Sequence, residues 1–194
     1  MADGVITGQP IKYPNGFETV DIDIDFSASA EEDVEITLSK TMQEVLRGRL
    51  WIDEDPGAGF VQWLEYTLYN KSTMKGEDAI FRATAKMVYT ELATATTGSD
   101  SNIIPDDHTD FSPNDLVYIL DDPDSEYCRI ETVASTMIAE DIVGAHDVND
   151  GVVRVSEFSG FQLYSLDGDR KVYLRCKWSA AQTVSMHMEL ILRV

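Results

Sequence analysis

Residues 161–194 decide the fold class, and they read FQLYSLDGDRKVYLRCKWSAAQTVSMHMELILRV. Apolar residues occupy alternate positions from Lys171 to Trp178, and the alternation returns from Thr183 to Val194. The members of this apolar face are Val172, Leu174, Cys176, Trp178, Val184, Met186, Met188, Leu190, Leu192 and Val194. A side-chain period of two is typical of a strand with one buried face. Together with a strand at 160–166 and a turn at 167–169, the stretch predicts a three-stranded antiparallel meander.

The N-terminal half adds further strand patterns. Strands are predicted at residues 17–26, 33–39, 49–53, 60–69 and 79–92, ahead of the meander strands at 160–166, 171–178 and 183–194. Residues 60–69 also fit a helical period, but their aromatic content favours a strand. Thr41 and Glu44 fit a helix-capping box, which predicts a short helix or turn there. Eight antiparallel strands match a jelly roll, so the sequence predicts an all-β, jelly-roll-like antiparallel β-sandwich.

A separate acidic module is predicted within this sandwich. Residues 98–157 hold 15 acidic and 2 basic residues, a net charge of −13, whereas residues 158–194 carry +2. Short strand patterns with tight turns between them indicate a small β-module. The predicted organisation is an N-terminal arm over residues 1–16, a sandwich from 17–93 plus 158–194, and an inserted acidic β-module with its linker over 94–157.

The formal net charge of −20 bears on partners. So acidic a chain is repelled by nucleic acids and by anionic membranes, and neither is an expected partner. The N-terminus has no basic region followed by an apolar run, so we expect synthesis in the host cytoplasm without a cleaved signal. Cys128 and Cys176 lie in strand patterns far apart in sequence, which favours buried free thiols over a disulfide.

Two groups of carboxylates are candidates for a metal site. The loop containing Asp121, Asp122, Asp124 and Glu126 crowds hard oxygen ligands of the kind that Ca²⁺ prefers, although EF-hand spacing is absent. An acidic hairpin turn that binds nothing is the alternative. A second row, Asp21, Asp23 and Asp25, lies on one face of one strand and fits a cation site, a basic partner or a solvated face. Apart from calcium, no cofactor is expected.

Catalytic motifs are absent from the sequence. The chain contains no serine nucleophile elbow, no paired cysteine and histidine, and no glycine-rich phosphate loop. We therefore predict that the protein is not an enzyme. A hydrolase that uses two carboxylates without a motif stays open as an alternative.

One strand face combines basic and aromatic residues. Tyr173, Arg175 and Lys177 follow one another at every second position, and His187 lies on the polar face of the last strand. Tyrosine and arginine are enriched at the centres of protein interfaces. These four residues are therefore the predicted interface. A slightly basic C-terminal region and an acidic remainder also favour self-association.

Several segments resemble structural proteins of tailed-phage virions. They are residues 155–161, 166–169, 172–175 and 182–185, and the pieces at 115–119 and 127–130 are similar to small β-modules common in such proteins. The resemblance implies a capsid decoration (cement) protein, a head fibre or a tail component. It carries over no functional residue, since none of its motifs aligns to a known site.

The predicted function follows from this resemblance. We expect a non-enzymatic virion structural protein that decorates and stabilises the phage head as a homo-oligomer, a trimer by the resemblance. Its expected partners are its own copies and the major capsid protein or other virion proteins. A phage tail or connector component is one alternative, and a calcium-dependent or glycan-binding β-sandwich module is the other.

Overall fold

The structure is a computed structural model that describes residues 11–12, 16–57, 59–97, 102–134, 136–140 and 142–193. Its strands are β1 (Ile11–Lys12), β2 (Phe17–Thr37), β3 (Met42–Ile52), β4 (Phe60–Tyr69), β5 (Ala79–Glu91), β6 (Asn102–Ile103), β7 (Leu116–Leu120), β8 (Glu126–Val133), β9 (Met137–Glu140), β10 (Gly151–Phe158), β11 (Phe161–Tyr164) and β12 (Lys171–Arg193). Over the described ranges, the helical content is one 3-10 turn, Gly76–Asp78. The all-β prediction is confirmed, whereas the jelly-roll connectivity stays a prediction.

The chain forms two compact units. The first contains residues 1–50, 63–85 and 157–194, and the second contains 51–62 and 86–156. The boundaries of the predicted inserted module, 94–157, differ from those of the second unit, and the module stays a prediction. Most of the predicted arm over residues 1–16 lies outside the described residues. No helix in the described ranges is long and apolar enough to cross a membrane.

The first unit is built on the pairing of two long strands, β2 and β12. They run antiparallel from Lys171 opposite Thr37 to Arg193 opposite Phe17, with a register shift between Lys177 and Thr183. β1 pairs with β2 on its other side, β4 pairs with β12, and β3 pairs with β12 and β11. Burial alternates along both strands, as the sequence pattern predicts. Their buried side chains form the core of this unit together with those of β3, β4 and β11.

The predicted meander is wrong. Residues 171–178 and 183–194 are one continuous strand, and β11 pairs with β3 instead of β12. Likewise 17–26 and 33–39 are parts of the single strand β2. The segment at 179–181 is Ser-Ala-Ala, which lacks the glycine, proline, asparagine or aspartate that a tight turn requires. The chain therefore stays extended and accommodates the irregularity as a bulge.

The predicted helix after Thr41 is also wrong, because residues 42–52 form β3. The strand buries Val45, Gly48 and Leu50, whereas Arg47 is exposed. Two successive buried positions are therefore three residues apart, instead of the two residues of a regular strand, and this irregularity gives the apolar residues a helix-like spacing. The alternative for 60–69 resolves as predicted, since Phe60–Tyr69 is strand β4.

The strand order in the second unit is β5-β10-β7-β8-β9-β6. Each neighbouring pair of strands in this order is antiparallel. Twelve buried residues form its core: Val88, Leu92, Ile103, Phe111, Val117, Ile119, Cys128, Ile130, Met137, Ala139, Ile142 and Val152. Ile103 and Phe111 come from residues 95–113, which their content of threonine, serine, aspartate, asparagine and proline predicts to be a linker. Both cysteines are free and buried, as predicted.

Candidate functional site

The predicted calcium loop is the connection between β7 and β8. These strands pair as a hairpin in which Ile119 lies opposite Glu126. The Ser125 hydroxyl accepts a hydrogen bond from the Asp121 amide at 2.8 Å, which closes the turn. Asp122 and Asp124 are exposed at its tip. The hairpin therefore separates the four predicted ligands into two that face solvent and two, Asp121 and Glu126, at the ends of the strands.

His146 lies between those two carboxylates. Its Nδ1 is 3.0 Å from Asp121 Oδ2, and its Nε2 is 2.8 Å from Glu126 Oε1. The residue is only 1% exposed. Thr96 holds its backbone on both sides, because the Thr96 amide donates to the His146 carbonyl and the His146 amide donates to Thr96 Oγ1. We call Asp121, Glu126 and His146 the histidine cluster.

Backbone amides complete the coordination of Glu126. Its carboxylate accepts hydrogen bonds from the amides of Val143, at 3.0 Å, and Gly144, at 2.8 Å, as well as facing His146. Glu126 therefore ties the 143–146 segment to the start of β8. Gly144 also lies so close that an added Cβ would stand 3.1 Å from Glu126 Oε1. The small residue at this position permits the close approach of the loop.

The electrostatics favour an ionised cluster. Burial lowers the pKa of His146, but the hydrogen bonds to Glu126 and Asp121 outweigh it and hold that pKa above its ordinary value. Burial raises the pKa of Glu126, but the hydrogen bonds from Val143, His146 and Gly144 bring it below its ordinary value. Both ring nitrogens then donate to carboxylates, which is the arrangement of an imidazolium. Burial raises the pKa of nearby Asp150.

A metal at this position would have to compete with those hydrogen bonds. The atoms of Asp121, His146 and Asp150 that could ligate a metal lie within 4.8 Å of one another. A metal ligand must offer a lone pair, so His146 would have to lose the proton that faces Asp121. Asp122, Asp124 and Glu126 are not members of this grouping of described residues. The calcium site that the sequence predicts therefore stays a prediction.

We expect calcium to leave the melting temperature of the protein unchanged. A ligand that binds only the folded state raises the melting temperature, but Asp121 and Glu126 already use oxygen atoms on His146 and on backbone amides. The measurement is thermal unfolding with calcium and again with chelator. A calcium-dependent rise that disappears in Asp124→Asn would contradict this expectation and would support the predicted loop site.

The predicted interface residues on β12 face the acidic side of β2. Arg175 places Nε 2.7 Å from Asp33 Oδ1 and Nη2 2.8 Å from Asp33 Oδ2, a two-pronged pair, and lies 3.2 Å from Glu31. The hydrogen bond with Asp33 raises the pKa of Arg175. Lys177 Nζ is 3.9 Å from Glu31, and its side chain is 57% exposed. Arg175 is thus engaged within its own unit.

Tyr173 and His187 are similarly placed in the β2–β12 ladder. Tyr173 is only 9% exposed, and burial raises its pKa. His187 Nδ1 is 2.8 Å from Asp23 Oδ1, and Ser185 donates a hydrogen bond to Asp25. The predicted row of Asp21, Asp23 and Asp25 therefore meets β12 side chains. The role of the four β12 residues in an interface stays a prediction.

An exposed apolar surface lies at the C-terminal end of β11, and the sequence pattern does not predict it. Tyr164 pairs with Met42 across the β11–β3 ladder, so the two side chains share a face. Leu166 follows two residues later, and its amide donates to the Asn70 carbonyl. Met42 and Leu166 are each 56% exposed, and Tyr164 is 37% exposed. We call these three residues the β11 patch.

Comparisons with known proteins give no family. No family model and no curated protein matches the chain. Among solved structures, the chain is similar to the VP16-VP17 complex, a complex of the two major capsid proteins of bacteriophage P23-77, with 11% identity, coverage of 92% of this chain and 99% of that chain, and a TM-score of 0.21. A likeness at that TM-score carries no argument about fold or function.

Proposed function

We propose that this protein is a non-enzymatic structural protein of a phage virion, a capsid decoration (cement) protein that oligomerises and stabilises the head. The observation that carries the proposal is the β11 patch. Tyr164 at the end of β11, Met42 opposite it on β3 and Leu166 two residues later are all exposed, and a group of exposed apolar side chains marks an association surface more often than single exposed residues do. Among the described strands, the ladder partner of β11 is β3, so its other edge is available.

The C-terminal region that carries most of the patch is slightly basic, with a net charge of +2 over residues 158–194, which favours the acidic region of a second copy as the partner. Exposed Lys40 and Arg170 lie beside the patch together with Asp167 and Asp169, and Arg170 donates a hydrogen bond to the Ser39 carbonyl next to Lys40. Residues 98–157 of another copy carry −13. Complementary charge steers association and suppresses wrong partners. A contact between unlike surfaces closes into a ring when the rotation permits, and a trimer is the ring that the sequence resemblance implies.

The internal ion pairs agree with a structural role. Arg175 is paired with Asp33, His187 with Asp23, and His146 with Asp121 and Glu126. These pairs hold strands and loops together, which is a structural use of charged side chains. In the proposal, the protein is made in the host cytoplasm and ends in the virion, with the major capsid protein or another virion protein as a further partner. A tail or connector component is the alternative within the same class.

The oligomer prediction has a direct test. Light scattering over a concentration series should show an oligomer for the wild type, and Leu166→Ser should shift the protein toward the monomer by removing one of the two most exposed side chains of the patch. Trp63→Ser is the matched control, since Trp63 is 61% exposed and lies outside both the patch and residues 98–157. Association should also weaken as salt is added, because charge contributes to it.

The virion assignment has its own readout. Mass spectrometry of purified phage particles should detect the chain, and the isolated protein should co-sediment with phage heads. A protein that stays monomeric at high concentration and is absent from particles would overturn the proposal. An oligomer that is present in tails but not in heads would replace decoration by the tail alternative.

A further inference from the structure

Trp63 is an exposed tryptophan in a chain that buries its other two. Trp51 is 5% exposed and Trp178 is 2% exposed, whereas Trp63, on β4, is 61% exposed. The indole is the largest apolar side chain, and leaving it in water forgoes its burial. Trp63 contributes nothing comparable to the core, so its place on the surface calls for an explanation outside folding.

A shallow groove of about 260 Å³ adjoins the Trp63 ring. Buried Leu64 and Trp178 contribute to its lining, and the exposed members are Glu65, Thr84, Lys177 and Ser179. Lys177 lies directly opposite Glu65 in the β12–β4 ladder, so their side chains share a face. Trp63 is two residues before Glu65 on the same strand and therefore belongs to that face. The groove is therefore shallow, with the Trp63 indole on one side and polar groups beside it.

The polar groups of the groove include donors and acceptors. Thr84 and Ser179 offer hydroxyls, Glu65 offers a carboxylate, and Lys177 offers an ammonium group. The ion pairs that engage the charged members are long: Glu65 is 3.9 Å from Arg82, and Lys177 is 3.9 Å from Glu31. Exposed pairs of this kind contribute little, so both side chains can bind a ligand at small cost.

We propose that this groove is a carbohydrate-binding site in which the apolar face of a sugar ring stacks on Trp63. A sugar presents C–H groups on its ring faces and hydroxyls around its rim. The C–H groups suit the electron-rich indole face, and the hydroxyls suit Glu65, Thr84, Lys177 and Ser179. A concave site with an aromatic wall and a few polar groups is the general form of a small-molecule site.

Other ligand classes fit the groove less well. The net charge of −20 repels a nucleic acid, which would otherwise stack bases on an exposed indole. A protein interface has an apolar centre, yet among the described residues no other exposed large apolar side chain lines this groove. The site does not depend on the proposed virion role, and it would add attachment to a glycan surface to whatever assembly the protein enters.

Tryptophan fluorescence provides the test. The full-length protein is titrated with oligosaccharides of glucose, mannose, galactose, N-acetylglucosamine and N-acetylgalactosamine, and with detergent-free fragments of bacterial surface polysaccharide. We expect at least one of these to change the tryptophan emission saturably and to protect it from a soluble quencher, because Trp63 is the most exposed indole. Calorimetry then gives the affinity.

Variants separate sugar binding from other roles of Trp63. Trp63→Ala should weaken the affinity by at least about tenfold, and Trp63→Tyr should retain part of it. Tyr164→Ala, at an exposed aromatic of the β11 patch, should bind as the wild type does. Unchanged melting temperature in Trp63→Ala would show that the fold is intact, as expected for an exposed side chain.

Three results would overturn the proposal. The first is that no sugar alters the emission, and the second is that Trp63→Ala binds a sugar as tightly as the wild type does. The third is that Trp63→Ala abolishes self-association while no sugar binds. The last result would make the groove a protein contact. Failure of the sugar titration would leave the light-scattering test of oligomerisation unaffected, so the two proposals are tested separately.

Discussion

Glu126→Gln should lower the free energy of unfolding by about 3 kcal/mol, because it breaks a buried ion pair while His146 stays in place. His146 has a fully buried side chain, and Glu126 has a side chain 16% exposed. The glutamine amide is the same size, so packing is preserved. The glutamine side chain has no charge, and its NH2 group is a donor. Its single oxygen is then left to accept the hydrogen bonds that Val143, Gly144 and His146 donate to the two oxygens of Glu126.

The matched control is Glu31→Gln. Glu31 also contacts two cations, Arg175 at 3.2 Å and Lys177 at 3.9 Å, but its side chain is 41% exposed. Ion pairs open to water contribute about 0–1 kcal/mol, so this variant should unfold almost as the wild type does. Urea denaturation of the three proteins measures the difference. Equal losses in both variants would mean that burial of the histidine cluster does not matter to stability.

The effect of Glu126→Gln should depend on pH in a defined direction. The raised pKa of His146 means that its contribution is complete below pH 6.5 and is lost as the pH rises through the folded-state pKa. The lowered pKa of Glu126 means that its contribution is complete above pH 4.5 and is lost as the pH falls through the folded-state pKa. The difference between wild type and variant should therefore be largest between these two values.

Two other carboxylates near His146 bear on that pH experiment. Asp121 faces Nδ1 in both proteins, so the variant keeps one carboxylate on His146. Asp150 has a pKa raised by burial, so it weakens the fold as the pH rises in both proteins. Because both carboxylates interact with His146, the loss of Glu126 also changes their contributions, and the difference at each pH measures the whole coupled group. A difference that stays constant from acid to alkaline pH would contradict an ionised pair.

The strand faces were predictable from the sequence, whereas the length of the strands was not. The alternation identifies the buried faces of β2 and β12, because every second side chain along each strand is apolar. Whether β12 is one strand or two depends only on whether residues 179–181 form a turn or a bulge. The alternation on either side of these residues is the same in both cases. Charge gives a second signal, because Arg175 pairs with Asp33 in one half of the ladder and His187 pairs with Asp23 in the other.

The histidine cluster shows a different limit of sequence reasoning. The hairpin at 121–126 was predicted from local residues, but His146 lies 25 residues from Asp121 and 20 from Glu126. Only the tertiary fold sets such a contact. A usable signal was present, since His146 follows Gly144 in the most acidic stretch of the chain, where a buried histidine has many carboxylates to pair with. The β11 patch gave no signal, because Met42 and Leu166 look like ordinary core residues.

Gly48→Ala is the second large effect, and it tests the packing of the first unit. A Cβ at residue 48 would stand 2.1 Å from Cε2 and 2.3 Å from Cζ of Phe158, far inside contact distance. The Phe158 ring packs on other aromatic rings, with Tyr66 5.5 Å, Phe81 5.3 Å and Phe161 6.1 Å from its centre, and it also borders a surface groove beside Leu46 and Arg47. The ring must therefore shift away from these aromatic contacts, and we expect a loss of about 1–3 kcal/mol, the usual range for overpacking.

Two further variants show whether the clash with Phe158 is the cause. Gly76→Ala is the control glycine, since a Cβ there meets nothing within 4 Å, and it should leave stability nearly unchanged. Phe158→Leu removes the ring and costs stability by itself, but combined with Gly48→Ala it should cost less than the sum of the two single losses. Additive losses would mean that the alanine disturbs β3 for another reason, and that the close approach of Phe158 to the Gly48 backbone does not require the glycine.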